Sequence, residues 1–268
     1  MTKLRTLSFL ALAALGGGVG AAQPKAPILD LARARIVDLT HEFGESTLYW
    51  PTATTGFQLT KLHAGMTPAG YFYSAYTFCA PEHGGTHLDA PVHFAEGRAS
   101  ADQVPLDRLM APAVVIDVRK QAAADPDYRL SREDVAAWEK RNGAIPAGSI
   151  VLLRTGWSAR WPAKKAYLGD DTPGDASRLR FPSYGKAAAR LLVERKVGAV
   201  GVDTASIDYG PTHDFIVHQV VNGANIPALE NLDRLEELPE TGAFVIALPM
   251  KIAGGSGGPL RALALVPR

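Results

Sequence analysis

Glu82-His83-Gly84-Gly85-Thr86-His87-Leu88-Asp89-Ala90-Pro91-Val92-His93-Phe94 is the run whose reading decides the fold. It gathers three of the chain's seven histidines around one aspartate. Neutral imidazole and carboxylate are the donors that suit Zn²⁺, Mn²⁺ or Fe²⁺, and a catalytic site needs about three of them plus an open position. His83, His87 and Asp89 supply that number. Gly84-Gly85 and Pro91 make a helix through the run improbable, because two glycines and a proline each oppose helical backbone. The run is therefore a strand end and a glycine turn, with His87 and Asp89 on one side because extended residues two apart point the same way. His93 lies just beyond the ligand set, where an imidazole serves as general acid or base. Neither the His-Glu-x-x-His helix nor a His-x-His-x-Asp-His run is present.

Read outward, the run His-x-Gly-Thr-His-x-Asp-x-Pro-x-His resembles the signature of the metal-dependent cyclase family, which includes kynurenine formamidases (arylformamidases) and isatin hydrolases. From about Asp38 to the C-terminus the resemblance implies a single α/β domain with the swivelling β/β/α cyclase fold, assembled as dimers or tetramers. It implies a divalent ion, Zn or Mn, with one or two ions per chain. His218 and Glu230 match the family's second pair, in the context Asn225, Pro227, Glu230, and would hold a second ion or the reacting water. Without the resemblance, His218 on an apolar helix reads as a core histidine.

The resemblance also implies the chemistry. His83, His87 and Asp89 hold the ion that makes water nucleophilic near neutral pH, and His93 passes the proton to the departing nitrogen, with Glu230 as a second catalytic group. The substrate is a small aromatic amide. Arylformamidase action on N-formylkynurenine comes first and an isatin-hydrolase-like opening of a cyclic amide second. A non-catalytic periplasmic metal- or solute-binding protein is a third reading, against which His93 argues. The Thr47-Leu48-Tyr49-Trp50-Pro51 segment either lines an apolar pocket or packs loop on core. In the family the aromatic-proline segment borders the substrate, which places Trp50 there. Members of the formamidase branch continue Pro-Gly-Asp, whereas this chain has Pro51-Thr52-Ala53.

Lys3 and Arg5, the apolar stretch Leu7 to Leu15 and the small residues Gly20-Ala21-Ala22 read as a secretory signal over residues 1–22. The hydrolase domain then spans 23–268, exported to a bacterial periplasm. The apolar stretch is too short to span a bilayer, so no membrane attachment is expected after processing. A net charge of +1 gives no reason to expect nucleic acid or an anionic membrane as a partner. One cysteine, Cys79, excludes an internal disulfide, and it reads as a small buried hydrophobe.

Ile28 to Ala34 reads as a helix, and strands are expected at Arg35 to Thr40, Phe72 to Phe78, Met110 to Val118, Ile150 to Arg154, Gly198 to Val202, Phe244 to Leu248 and Ala262 to Val266. Helices are expected at Ser131 to Arg141, capped by Ser131, at Tyr184 to Val197, and at Asp214 to Val221. Arg154 or Trp157 could border the pocket, and Ala159 to Gly174 reads as a surface excursion or subunit contact. Asp203 or Asp208 could orient an imidazole, while at least one of them bonds to backbone. Gln219 is a further possible polar neighbour. The glycine-rich Lys251 to Arg261 lacks a phosphate-loop pattern; it either offers backbone amides or Ser256 to a substrate oxygen or has a purely conformational role. His41, His63 and His213 read as loop or surface residues.

Overall fold

The computed structural model describes residues 33–268. The expected signal segment and most of the Ile28 to Ala34 helix lie outside them. The first strand, β1 (Arg35–Asp38), is followed by a long loop and a two-stranded ribbon, β2 (Gln58–Met66) and β3 (Phe72–Cys79), which pairs with no other strand among the described residues. The metal-type run then enters β4 (His87–Asp89), a strand of only three residues.

Next come α1 (Leu106–Leu109), β5 (Met110–Asp117), α2 (Arg119–Ala124), β6 (Arg129–Leu130) and α3 (Arg132–Asn142). Ser131 caps α3 through a reciprocal capping box with Asp134, which satisfies two otherwise orphaned backbone donors. The chain continues through β7 (Ile150–Arg154), α4 (Lys164–Leu168), β8 (Ser183–Tyr184), α5 (Lys186–Glu194) and β9 (Ala199–Val202). It closes with α6 (Ile216–Gly223), β10 (Ala228–Glu230), β11 (Ala243–Pro249) and β12 (Gly257–Val266).

The main sheet runs β1-β12-β11-β5-β7-β9-β10-β4, and β4 pairs again with β12. That second pairing closes seven strands into a barrel and leaves β1 on its flank. Strands β5, β7 and β9 are parallel neighbours. Parallel strands covered on both faces read as continuous apolar runs, and Ile150-Val151-Leu152-Leu153 is buried throughout. Alternate residues serve two cores. Val115, Ile150 and Leu152 fill the barrel with Leu88, Leu229 and Val245. Val114, Val151 and Leu153 face the helices, against Val135, Trp138, Leu191 and Val221. Each such side chain contributes about 1.5–3 kcal/mol of burial.

Several expectations are corrected. Tyr184 belongs to β8, so α5 starts only at Lys186. The segment Ala159 to Gly174 is not merely a surface excursion, since Tyr167 and Leu168 of α4 are fully buried. Cys79 is exposed, because it ends a ribbon that no third strand covers. His41 is buried and stacks on Trp161 at 4.2 Å, whereas His63 and His213 are exposed as expected. No helix among the described residues is long and apolar enough to cross a membrane.

Candidate active site

Strand β4 lies between β10 and β12, with Asp89 opposite both Ala228 and Gly257, and His87 opposite Glu230. The barrel closure thus brings His87, Asp89 and Glu230 to one point. The β12 flank approaches so closely that a Cβ on Gly257 would sit 2.5 Å from the Leu88 carbonyl and 2.6 Å from the His83 ring. Only glycine fits there. His83 arrives from the preceding turn, His93 from a short 3-10 turn after Pro91, and His218 from the first turns of α6.

The hydrogen bonds on the outer side of two imidazoles fix what faces inward. His87 Nδ1–H donates to the Gly85 carbonyl at 3.0 Å, so its bare Nε2 faces Asp89 Oδ1 at 3.1 Å and Glu230 Oε2 at 3.5 Å. His218 Nδ1–H donates to Asp208 Oδ2 at 2.8 Å, leaving Nε2 at 3.1 Å from Asp89 Oδ2 and 3.3 Å from Glu230 Oε1. A lone pair facing a carboxylate at such distances repels unless a cation stands between them, and that cation is a proton or a metal ion. With protons alone, burial would lower the His87 pKa, but Asp89 and Glu230 outweigh it and push the group up to about 9. His218 is likewise held well above its ordinary value, its burial outweighed by Asp208, Asp89 and Glu230. Against the cost of burial, the surrounding imidazoles hold Asp89 well below the usual carboxylate range. Burial, then the Asp89 charge, pushes Glu230 up.

Among the described residues two triads could hold an ion, His83–Asp89–His93 and His87–Asp89–Glu230, and Asp89 belongs to both. The donor set fits a divalent metal of the imidazole–carboxylate class. His93 stacks on His83 with ring centroids 3.8 Å apart, and burial brings its pKa down to about 4. It is a neutral base at neutral pH.

The group opens onto a cavity of about 260 Å³ lined by Leu48, Tyr49, Trp50, Phe94, Leu168, Phe215 and Asn231 as well as the acids and imidazoles. Phe215 lies 6.0 Å from Trp50 and 5.4 Å from Phe94, and Phe94 lies 4.4 Å from His218. The Tyr49 hydroxyl is buried without a hydrogen-bond partner among the described residues.

The expected residues are therefore placed as follows. His83, His87, Asp89, His93, His218, Glu230 and Trp50 all line the cavity. Ser256 does not. It stands behind His83, with its hydroxyl engaged by Glu82 and the imidazole. Asp208 orients His218, while Asp203 accepts from the backbone of Thr155 and Gly156 and joins the exits of β7 and β9. Arg154 and Trp157 leave the pocket. The Arg154 guanidinium is buried against Asp117 and the Leu235 and Leu238 carbonyls, and the Trp157 indole donates to the Tyr167 carbonyl. Gln219 is exposed and bonds to the Asp214 carbonyl. Phe94, Phe215 and Asn231 were not read as site residues. A signal existed for Phe94, which follows His93 directly, and for Asn231, which follows Glu230, but a lone phenylalanine before a helix carries none.

The family model described as "Putative cyclase" matches residues 37–209, and this chain belongs to the cyclase family. Among its relatives, the isatin hydrolase of Roseibium aggregatum is 37% identical over 207 residues, covering 74% of this chain and 77% of that protein. The kynurenine formamidase of Paracidovorax citrulli is 32% identical over 190 residues, covering 69% and 76%. The crystal structure of an isatin hydrolase bound to the product analogue thioisatinate superposes with a TM-score of 0.81 at 33% identity, covering 88% of this chain and 94% of that one.

Proposed function

We propose that this protein is a metal-dependent hydrolase of a carbon–nitrogen bond that opens a cyclic amide fused to an aromatic ring, of the isatin type. The observation that carries the reading is the convergence of His83, His87, Asp89, His218 and Glu230, with His93 beside them, at the floor of an aromatic-walled cavity. One or two divalent ions, Zn or Mn, would be held by His83, His87 and Asp89, with His218 and Glu230 as the second pair. When bound, the ion supplies Lewis acidity that makes water nucleophilic near neutral pH and stabilises charge on the carbonyl oxygen.

The chain's own groups do the rest. Trp50, Phe94 and Phe215 hold the aromatic ring of the substrate. His93, neutral and stacked beside His83, takes the proton from the attacking water and returns it to the departing nitrogen. Glu230, pushed up by burial and by Asp89, keeps a second proton-accepting oxygen at the floor.

Hydrolysis of the linear formamide N-formylkynurenine is the second reading, favoured by the formamidase relatives. The sequence departure after Pro51 and the higher identity to isatin hydrolase favour the first reading over it. The test measures turnover of isatin and of N-formylkynurenine after chelation and after adding back Zn²⁺ or Mn²⁺. Metal-restored ring opening of isatin supports the first reading. Metal-restored deformylation without ring opening replaces it with the second, and metal binding without turnover of either leaves only the fold.

A second copy of the chain is the partner proposed for the β2–β3 ribbon. Leu59, Leu62, Met66, Tyr71, Phe72, Tyr73, Tyr76 and Phe78 are each half or more exposed. At roughly 150–250 Å² per aromatic side chain, they offer on the order of 800 Å² of apolar surface, the share one partner gives to a standard interface. An isolated hairpin is marginal in water without such cover. Replacing Phe72 and Tyr76 by Ser should turn a dimer or tetramer into a monomer in light scattering; a monomeric wild type at micromolar concentration removes the proposal. Residues 1–22 are proposed as an export leader and the periplasm as the place of action, which cell fractionation checks.

A further inference from the structure

The structure assigns to Glu82 a positioning role: acting through Ser256, it sets which nitrogen of His83 carries the proton. The assignment rests on the metal-site reading above. The Ser256 backbone N–H donates to Glu82 Oε2 at 3.1 Å. A backbone N–H can only donate, so that oxygen is an acceptor. The Ser256 hydroxyl lies 2.6 Å from the same Oε2 and has a single proton, which it gives to that oxygen. Only lone pairs remain on Oγ, and 2.9 Å away stands His83 Nε2, which must therefore be an N–H. Nδ1 is left bare, 2.6 Å from Asp89 Oδ1.

His83 is thus prepared in the same way as its two neighbours. His87 is held from behind by the Gly85 carbonyl and His218 by the Asp208 carboxylate, each leaving one bare nitrogen turned to Asp89. For His83 the carboxylate acts at one remove, through a hydroxyl. Ligating histidines need such outer partners to fix tautomer and ring orientation. The glycine-rich turn is built around this relay. A Cβ on Gly255 would meet Glu82 Oε1 at 2.7 Å, and one on Gly257 would meet the His83 ring at 2.6 Å, so only glycines let Ser256 pass between the two side chains.

Zinc affinity, measured against a chelator on the full protein, tests this. Glu82→Ala and Ser256→Ala should each weaken zinc by about tenfold or more. The double variant should lose no more than the larger single loss, because both act on one nitrogen. Glu82→Gln should stay close to wild type, since its amide oxygen can accept both Ser256 protons. In the zinc-loaded wild type, long-range proton–nitrogen NMR should show His83 protonated at Nε2, and in Ser256→Ala that proton should lose its protection from exchange. A His83 protonated at Nδ1, unchanged zinc affinity in folded Glu82→Ala, or additive losses would each overturn the assignment while leaving the metal reading intact. A wild type that binds no zinc or manganese removes both.

Discussion

Asp208 grips His218 twice: Oδ2 accepts from the imidazole Nδ1 at 2.8 Å and from the backbone N–H of the same residue at 3.0 Å. The ring can neither flip nor change tautomer without breaking a buried hydrogen bond, and its Nε2 stays aimed at Asp89. Asp208→Asn places an amide beside Nδ1–H and removes the carboxylate charge. Metal affinity should fall about 10- to 100-fold while the fold is retained. Chelator competition with circular dichroism on the same samples checks it, and unchanged affinity would mean that His218 is no ligand.

On the proposed function His93 is a reacting group, and the His87–Asp89–Glu230 triad could hold an ion without it. His93→Ala should leave that metal bound and slow turnover by about 10²-fold or more. The comparison is metal content by atomic absorption against kcat. Unchanged turnover would take His93 out of the mechanism.

The metal-free protein should lose stability as pH rises. His87 has its folded pKa raised from 6.5 to about 9, so its contribution is fully present below about pH 6.5 and is lost as pH climbs through about 9. The contribution is on the order of 3 kcal/mol for a shift of this size. His218 is shifted in the same direction. Metal ions need the deprotonated imidazoles, so the loaded protein should show the opposite trend in apparent affinity. Denaturant midpoints between pH 6.5 and 9.5, with and without chelator, decide it; a flat metal-free profile would mean that the imidazoles and carboxylates do not share protons as the geometry requires.

Gly84 has φ +153°, and a Cβ there would lie 2.1 Å from the Tyr49 ring. Gly84→Ala should therefore push Tyr49 toward the cavity or away from it. The expected cost is about 1–3 kcal/mol of stability with a change in KM for the aromatic substrate. Unfolding and steady-state kinetics on one preparation read both. A variant with wild-type stability and KM would show that the turn has room the structure lacks.

How far the sequence could be read depended on which residues carry periodicity. Ile150–Arg154 and the Ser131-capped helix were legible because a doubly buried strand and a capping box leave continuous apolar or start-of-helix signals. The motif run was legible because His83, His87, Asp89 and His93, which line one cavity, come from one short stretch and stay together in sequence. Strand β2 was not, since Gln58–Met66 has no buried face and so no alternation to detect. Arg154 looked like a pocket residue because its partners, the Leu235 and Leu238 carbonyls, lie about eighty residues away in the chain. Ser256 looked like a substrate contact for a similar reason: its partner Glu82 is 174 positions distant. The orienting role open to Asp203 or Asp208 falls to Asp208, which holds His218, whereas the hydroxyl of Ser256 behind His83 was not legible, because it reaches the imidazole only in three dimensions.

The pairing of β4 with both β10 and β12 ties residues 87–89 to 228–230 on one side and to 257–259 on the other. These are non-local contacts, and forming them carries a loop-closure entropy cost. Ring closure and assembly of the ligand set are consequently one event. A partly folded chain with an open ring has no site to offer an ion, and an ion that binds only the closed form draws the equilibrium toward closure. The reactive centre therefore doubles as the fastener of the barrel, and the same carboxylate that would serve chemistry reports whether the last strand has docked.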